Sequence, residues 1–296
     1  MKEKIPVVIL TSRGPRHSYF CRELAKHFEV RGIVVDVRYG FWHRLAMLFT
    51  SHGLSFFSIA KTLALKKKLR PFEERDEKME KSFFPNPAGE REFPSGIPVL
   101  KSSNPNDEKT QKWVQALKPE VLAVFGTRII QEKMLGLARL GALNIHTGLS
   151  PYYRGGQCTF WCLYERDLEH VGVTIHHLTQ RIDGGDIVYT AQPVVEPADT
   201  VRSLECKLVK LGTTKMIQAI SGIYAGVAPR TKQDRKGKLF LSKMYTLEKR
   251  LELEEKLQAG LLICHREEAA NRRSGLEKQD CFTPPGICND VPGRPA

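Results

Sequence analysis

Val121-Leu122-Ala123-Val124-Phe125 and Ala142-Leu143-Asn144-Ile145-His146 are the stretches whose reading decides the fold of this chain. The first is an unbroken apolar run, the pattern of a strand covered on both faces in a parallel sheet. The second is apolar until it reaches Asn144 and His146, and a helical pattern from about Met134 to Leu140 separates the two. Toward the N-terminus, the apolar run Ile5 to Leu10 ends in Thr11-Ser12-Arg13-Gly14-Pro15. A helical pattern through Tyr19, Leu24 and Phe28 follows, and then a strand-like run from Gly32 to Asp36. Pro98 to Leu100 reads as another short strand, with Asn104-Pro105 as cap and first position of a helix carrying Trp113, Val114 and Leu117. Strands alternating with helices imply an α/β fold, an open, mostly parallel sheet with helices on both faces and right-handed crossovers. Ligands of such sheets bind beyond the carboxyl ends of the strands, where Asn144 and His146 fall.

The pattern breaks between about residues 41 and 95. An aromatic-rich helical stretch from Phe41 to Lys68 runs into Arg70-Pro71 and a charged linker that ends in Pro85-Asn86-Pro87 and Pro94. It reads as a helical insertion packed on a catalytic domain that spans residues 1–228, and insertions beside a sheet edge can make homodimer contacts. Past Asp183 a strand from Asp186 to Val195 leads to a helix capped by Asp199, with Val201, Leu204, Leu208 and Leu211 on one face. Residues 229–262 form a C-terminal extension, with one strand-like piece at Lys238 to Ser242 and a charged helix. Residues 263–296, rich in Pro, Gly, Arg and Asn, read as a disordered tail.

Composition narrows the function classes. No stretch reaches the roughly 18 uninterrupted apolar residues that a membrane span needs, and Met1-Lys2-Glu3-Lys4 ahead of the first strand does not resemble a signal peptide. A cytoplasmic protein is expected. Seven cysteines, an odd number without regular spacing, argue against a disulfide framework, and no paired CxxC offers a zinc site. Cys158 and Cys162, one helical turn apart, read as small buried hydrophobes. The net charge of +13 suits a phosphorylated or carboxylated ligand or a polyanion. It is spread along the chain, which disfavours a specific nucleic-acid surface.

The chemistry gathers at two places. Side chains alternate along a strand, so Asn144 and His146 point the same way while Ile145 packs on the other side. Thr147-Gly148-Leu149-Ser150-Pro151 then turns the chain, and Tyr152-Tyr153-Arg154-Gly155-Gly156 forms a loop that can border a pocket. The second place is the strand Gly172 to Leu178, leading to Thr179-Gln180-Arg181-Ile182-Asp183-Gly184-Gly185-Asp186. Paired glycines permit a tight turn from which a carboxylate reaches a neighbouring strand end. An amide, an imidazole and a carboxylate meeting there suit acyl transfer, in which an oxyanion is stabilised and protons are moved. Singly, each is also an ordinary turn or packing residue. A metal held by His146, His176, His177 and Asp183 is disfavoured, because His176 and His177 face opposite sides of a strand.

Asn144-Ile145-His146, Leu149-Ser150-Pro151, Tyr153-Arg154-Gly155, Gly172-Val173-Thr174 and Ile182-Asp183-Gly184-Gly185-Asp186, in that order, resemble the catalytic domain of 10-formyltetrahydrofolate-dependent formyltransferases. The family includes enzymes acting on glycinamide ribonucleotide, methionyl-tRNA and amino sugars. The resemblance covers residues 95–225 well and the first forty loosely. It implies a Rossmann-like domain with Asn144, His146 and Asp183 as the catalytic trio. It also implies a pterin pocket walled by Phe125, Gly126, Thr127, Arg128, Ile129 and Ile130 together with Thr179, Gln180, Arg181, Ile182, Gly184 and Asp186. The formyl donor would be 10-formyltetrahydrofolate and the acceptor a primary amine. Asn144 and His146 would hold the oxyanion, and Asp183 would keep His146 charged and oriented and help take the amine proton.

Three comparisons bear on the acceptor. Enzymes for glycinamide ribonucleotide hold its phosphate in a glycine and serine loop, which here reads Thr11-Ser12-Arg13-Gly14-Pro15-Arg16-His17; Pro15 removes one backbone donor, although Arg13 and Arg16 could still hold a phosphate. Enzymes for methionyl-tRNA carry a β-barrel that the stretch beyond Pro229 does not suggest. Formyltetrahydrofolate hydrolases carry a domain ahead of the first strand. A small, phosphorylated amine such as an amino-sugar nucleotide is the expected acceptor, with tRNA, glycinamide ribonucleotide, hydrolysis and a non-catalytic folate-binding role as alternatives.

Overall fold

Successive residues along Val7 to Leu10 face opposite sides of the strand, and this alternation builds the centre of the fold. A computed structural model describes residues 4–37, 56–86, 92–235 and 237–262. The opening of the insertion at Phe41, Pro87 and the tail 263–296 lie outside the described residues. In chain order the elements are β1 (Pro6–Thr11), α1 (Pro15–His27), β2 (Glu29–Asp36), α2 (Phe56–Phe83), β3 (Val99–Ser102), α3 (Glu108–Ala116), β4 (Val121–Phe125), α4 (Glu132–Leu135), β5 (Ala142–His146), β6 (Tyr153–Gly155), α5 (Cys158–Tyr164), β7 (Val173–His177), β8 (Ile187–Ala191), α6 (Val201–Tyr224), β9 (Lys238–Phe240) and α7 (Leu247–Gln258).

Among the described residues seven strands form one sheet in the order β3-β2-β1-β4-β5-β7-β8. The first five run parallel, while β7 is antiparallel to both β5 and β8. The expected open, mostly parallel sheet is therefore present, with an antiparallel edge added beside β5. Strand order reverses between β1 and β4, which opens a crevice at their carboxyl ends. On one face Val7, Ile9, Ile33, Ala123, Leu143 and Ile145 join the core built with α1, α5 and α6. On the other, Val8, Leu10, Val34, Leu122 and Val124 pack with Val114 of α3 and Met134 of α4. Gly212 in α6 lies against β5 and β7 so closely that a Cβ there would meet Ile145 and Val173 at 2.9 Å.

Several local expectations give way to tertiary structure. The charged stretch after Arg70 is not a linker: α2 continues through Pro71 to Phe83. An interior proline costs a helix about 3 kcal/mol, yet Leu69 is 0% and Phe84 1% exposed, and burying two such side chains returns roughly 1.5–3 kcal/mol each. Arg75 adds ion pairs with Asp76 at 2.7 Å and with Glu254 of α7 at 3.0 Å. Asp107, not Asn104, caps α3, accepting from the Thr110 amide at 2.7 Å, because Asn104 already closes a turn onto the Asn106 amide. Thr200, not Asp199, caps α6; the Asp199 carboxylate instead accepts from Ser203 and Lys207. The helix expected to reach Leu140 is the short α4, and the strand expected to reach Val195 ends at Ala191.

Candidate active site

The end of β5 lies in the crevice, with β4 on one side and β7 on the other. Leu143 and Ile145 are buried in the core, while Asn144 and His146 line a cavity of about 590 Å³. Because β7 runs antiparallel, its register places His176 directly opposite Asn144 and Thr174 opposite His146. The chain leaves β7 through Thr179 to Gly185 and brings Asp183 back over the strand end.

Asp183 stands between two imidazoles. Its Oδ2 is 3.4 Å from His146 Nδ1 and its Oδ1 is 3.4 Å from His176 Nε2. The Gly155 amide donates to Oδ2 at 2.8 Å. Burial pushes the Asp183 carboxyl up, but the neighbouring His146 and His176 imidazoles and the Gly155 amide outweigh it and hold the group below the usual carboxylate range. Its backbone has φ 46°, the left-handed region, which costs a non-glycine residue about 1–3 kcal/mol. Surrounding contacts keep it there: Gly185 packs so tightly that a Cβ would meet the His177 carbonyl carbon at 2.9 Å.

The imidazoles are oriented by backbone carbonyls. His146 Nε2 lies 2.9 Å from the Tyr153 carbonyl oxygen, which can only accept, so Nε2 carries hydrogen and Nδ1 faces Asp183. His176 Nδ1 donates in the same way to the His177 carbonyl at 2.9 Å, and His176 Nε2 lies 3.2 Å from Asn144 Nδ2. Thr174 fixes the loop between the two strands, donating to the Gly148 carbonyl at 2.8 Å and accepting from the Ser150 amide at 2.9 Å.

The structure thus brings Asn144, His146 and Asp183 together, and of the residues expected to wall the pocket it places Phe125, Gly126, Thr127, Arg128, Ile129, Ile130, Gln180, Arg181 and Ile182 around the same cavity. Three others sit elsewhere. Thr179 Oγ1 accepts from the Arg181 amide and shapes the turn. Gly184 backs onto Arg181, where a Cβ would meet that side chain at 2.9 Å. Asp186 points away to Arg230, 2.6 Å distant. Arg13 is paired with Glu92 at 3.2 Å and Arg16 with Glu205 at 3.1 Å, so both arginines of the first loop face carboxylates.

Some participants are invisible to sequence reasoning. His176, weighed only as a metal ligand, is fully buried beside Asp183 and Asn144. Among the described residues no group of three or more His, Cys, Asp and Glu side chains is placed to hold a metal ion. Gly155, Gly156, Gln157 and the segment Phe240 to Ser242 line the cavity on the side away from Val124 to Ile130. Cys158 and Cys162 are buried, and burial pushes both thiols up, which suits packing. No helix among the described residues is long and apolar enough to cross a membrane.

The chain that carries this amide, two imidazoles and one carboxylate is similar to known proteins. The methionyl-tRNA formyltransferase of Methylacidiphilum infernorum is 34% identical over 157 residues, 52% of this chain and 48% of that protein. The same enzyme of Bacillus licheniformis is 31% identical over 163 residues, 54% of this chain and 51% of that protein. The chain spans about half the length of the curated relatives it matches. In fold it is similar to the N-formyltransferase of Helicobacter canadensis, solved with folinic acid and dTDP-3-aminofucose, at TM-score 0.50 and 14% identity, covering 81% of this chain and 72% of that one. The family model described as formyl transferase matches residues 53–220, a span that holds β4, β5, β7 and the Asp183 turn and exceeds half of the 296 residues, and the chain accordingly belongs to the formyl transferase family.

Proposed function

We propose that this protein transfers a formyl group from 10-formyltetrahydrofolate to a primary amine of a small acceptor. The observation that carries the reading is the position of Asp183, 3.4 Å from both His146 and His176, with Asn144 beside His176 at the mouth of the cavity. The donor supplies an activated formyl carbon when bound. The cavity suits it: Val124, Ile130, Leu178 and Ile182 offer apolar surface for a flat heteroaromatic ring. Phe125 to Arg128 and Gln180 to Asp183 border the same space.

This chain's residues then have distinct tasks. When an amine nitrogen bonds to a formyl carbon, the carbonyl oxygen gains negative charge, and Asn144 and His146, which line the cavity, are read as its donors, His146 Nε2 by exchanging the Tyr153 carbonyl for that oxygen. The bond from formyl carbon to donor nitrogen breaks as the amine loses a proton and the departing nitrogen gains one. Asp183, held as a carboxylate, keeps His146 aimed and takes the amine proton directly or through water. The trio is read as catalytic, residues 1–228 as the catalytic unit and residues 229–262 as an extension of it.

For the acceptor, the pairing of Arg13 and Arg16 with carboxylates speaks against a phosphate cradled in the first loop. An amino-sugar nucleotide fits the net charge of +13. The identity with methionyl-tRNA formyltransferases favours charged tRNA as the second reading. The test is incubation with 10-formyltetrahydrofolate and, in parallel, amino-sugar nucleotides, glycinamide ribonucleotide and methionyl-tRNA. Tetrahydrofolate released only with an amine is the expected result and names the acceptor. Release without any amine marks a hydrolase, and no release marks a binding protein; either overturns the proposal.

A further inference from the structure

Gln233 sits half-buried in a run whose other members, Thr231, Lys232, Asp234 and Arg235, are exposed. Its Nε2 donates to the carbonyl of Asp183 at 2.9 Å and to the carbonyl of Gly185 at 2.6 Å. A primary amide nitrogen carries two hydrogens, one for each carbonyl, so a single neutral side chain spans both sides of the Asp183 turn. Neither contact touches the carboxylate itself. They hold the backbone from which it projects, at the residue whose φ of 46° lies in the left-handed region.

The segment carrying Gln233 is itself anchored at both ends. Ahead of it, Thr231 pairs with Ile187 through amide-to-carbonyl hydrogen bonds of 2.8 and 2.9 Å, and Arg230 holds Asp186. Behind it, the Lys238 amide donates to the Tyr152 carbonyl at 2.8 Å and the Gly156 amide to the Phe240 carbonyl at 2.9 Å, so that β9 runs beside β6. That strand supplies the Tyr153 carbonyl to His146 and the Gly155 amide to Asp183. One stretch of chain therefore touches both backbone pieces that orient the trio.

We propose that Gln233 is a positioning residue that fixes the Asp183 carboxylate between His146 and His176. The proposal rests on the reading of Asp183 as catalytic. Its geometric content is independent of turnover: without the two hydrogen bonds the turn drifts, the Gly155 contact lengthens, and the two imidazoles lose their shared acceptor.

The experiment uses the full chain, labelled with nitrogen-15 and carbon-13, as wild type, Gln233→Ala and Gln233→Glu. Thermal midpoints, the Gly155 amide signal and the ring signals of His146 and His176 are measured without ligand. Then kcat and KM for 10-formyltetrahydrofolate are measured with whichever amine the acceptor panel identifies. Expected are thermal midpoints close to wild type, displaced Gly155 and histidine signals, and kcat lower by about tenfold to a hundredfold with KM little changed, the loss expected from small misplacement of a reacting group. Gln233→Glu keeps the size of the side chain and removes both donors, so it is expected to fall at least as far as Gln233→Ala. Unmoved Gly155 and histidine signals in both folded variants overturn the proposal, as does unchanged kcat with a lowered thermal midpoint. If wild type transfers no formyl group to any amine, the reading of function fails while the resonance measurements still decide the role of Gln233.

Discussion

Asn144 and His176 face each other across the antiparallel pairing of β5 and β7, with Asn144 Nδ2 3.2 Å from His176 Nε2. His176 donates through Nδ1 to the His177 carbonyl, and its Nε2 lies between the Asn144 amide and the Asp183 carboxylate. The histidine thereby stands against two members of the trio.

Replacing His176 with alanine is expected to leave the partly buried Asn144 amide and Asp183 carboxylate short of one partner each. The cost in stability is about 1–3 kcal/mol, the usual penalty for an unsatisfied buried polar group. Turnover is expected to fall about tenfold to a hundredfold through loss of alignment. Denaturant unfolding and steady-state kinetics on one preparation measure both, and unchanged kcat removes His176 from the site.

Asn144→Ala removes a neutral donor aimed at the developing oxyanion, and such a loss typically costs roughly 100-fold to 1000-fold in rate. Asp183→Asn keeps the shape and removes the charge between the imidazoles, so a loss at least as large is expected. Both are read as kcat at saturating donor and acceptor, with circular dichroism to show that the fold persists. Near-normal turnover in Asp183→Asn contradicts the roles assigned here.

The Asp183 carboxyl also gives stability a pH dependence. Burial opposes its ionisation, yet His146, His176 and the Gly155 amide together keep its folded pKa below the ordinary value. A carboxylate depressed in this way adds stability above its unfolded value, near about 3.9, and that contribution is lost as pH falls through the folded value. Urea unfolding of wild type and Asp183→Asn at a series of pH values is expected to show a gap that is steady near neutrality and narrows below about pH 4. A gap that stays constant down to strongly acid pH refutes the stabilised carboxylate.

Gly148 is a steric test of His146. A Cβ at this position would collide with His146 Nε2 and come within 2.7 Å of the Cys158 Cβ. Gly148→Ala therefore forces the ring off the Tyr153 carbonyl, which it now meets at 2.9 Å. The expected outcome is kcat lower by about a hundredfold, the scale of a misplacement near 1 Å. Full activity in a folded Gly148→Ala variant shows that the ring has freedom the packing denies.

Much of this arrangement is legible in the amino acids. The apolar run at Val121 to Phe125 is a central strand, and the two-residue period that sets Asn144 and His146 on one face holds in β5. The glycine pair after Asp183 announces the turn, since Gly185 leaves no room for a Cβ against the His177 carbonyl carbon. What escapes is non-local. Alternation shows that His176 and His177 diverge, but only the antiparallel register tells which of them meets Asn144. Gln233 reaches Asp183 across 50 residues of chain, and no local pattern marks it. Pro71 predicts a helix end, and the packing of Leu69 and Phe84 overrides it.

The pairing of β6 with β9 sets an order on how the molecule is completed. All seven strands of the main sheet are in hand once the chain has grown past Ala191, but the wall formed by Phe240, Leu241 and Ser242 arrives only with the far end of β9. A nascent chain still tethered at that point, or a fragment cut within the exposed stretch around Asp234, has the strands of its sheet and lacks that wall. That wall is thus postponed until the chain has grown past Ser242, and a cut in the stretch around Asp234 falls between the sheet and the wall.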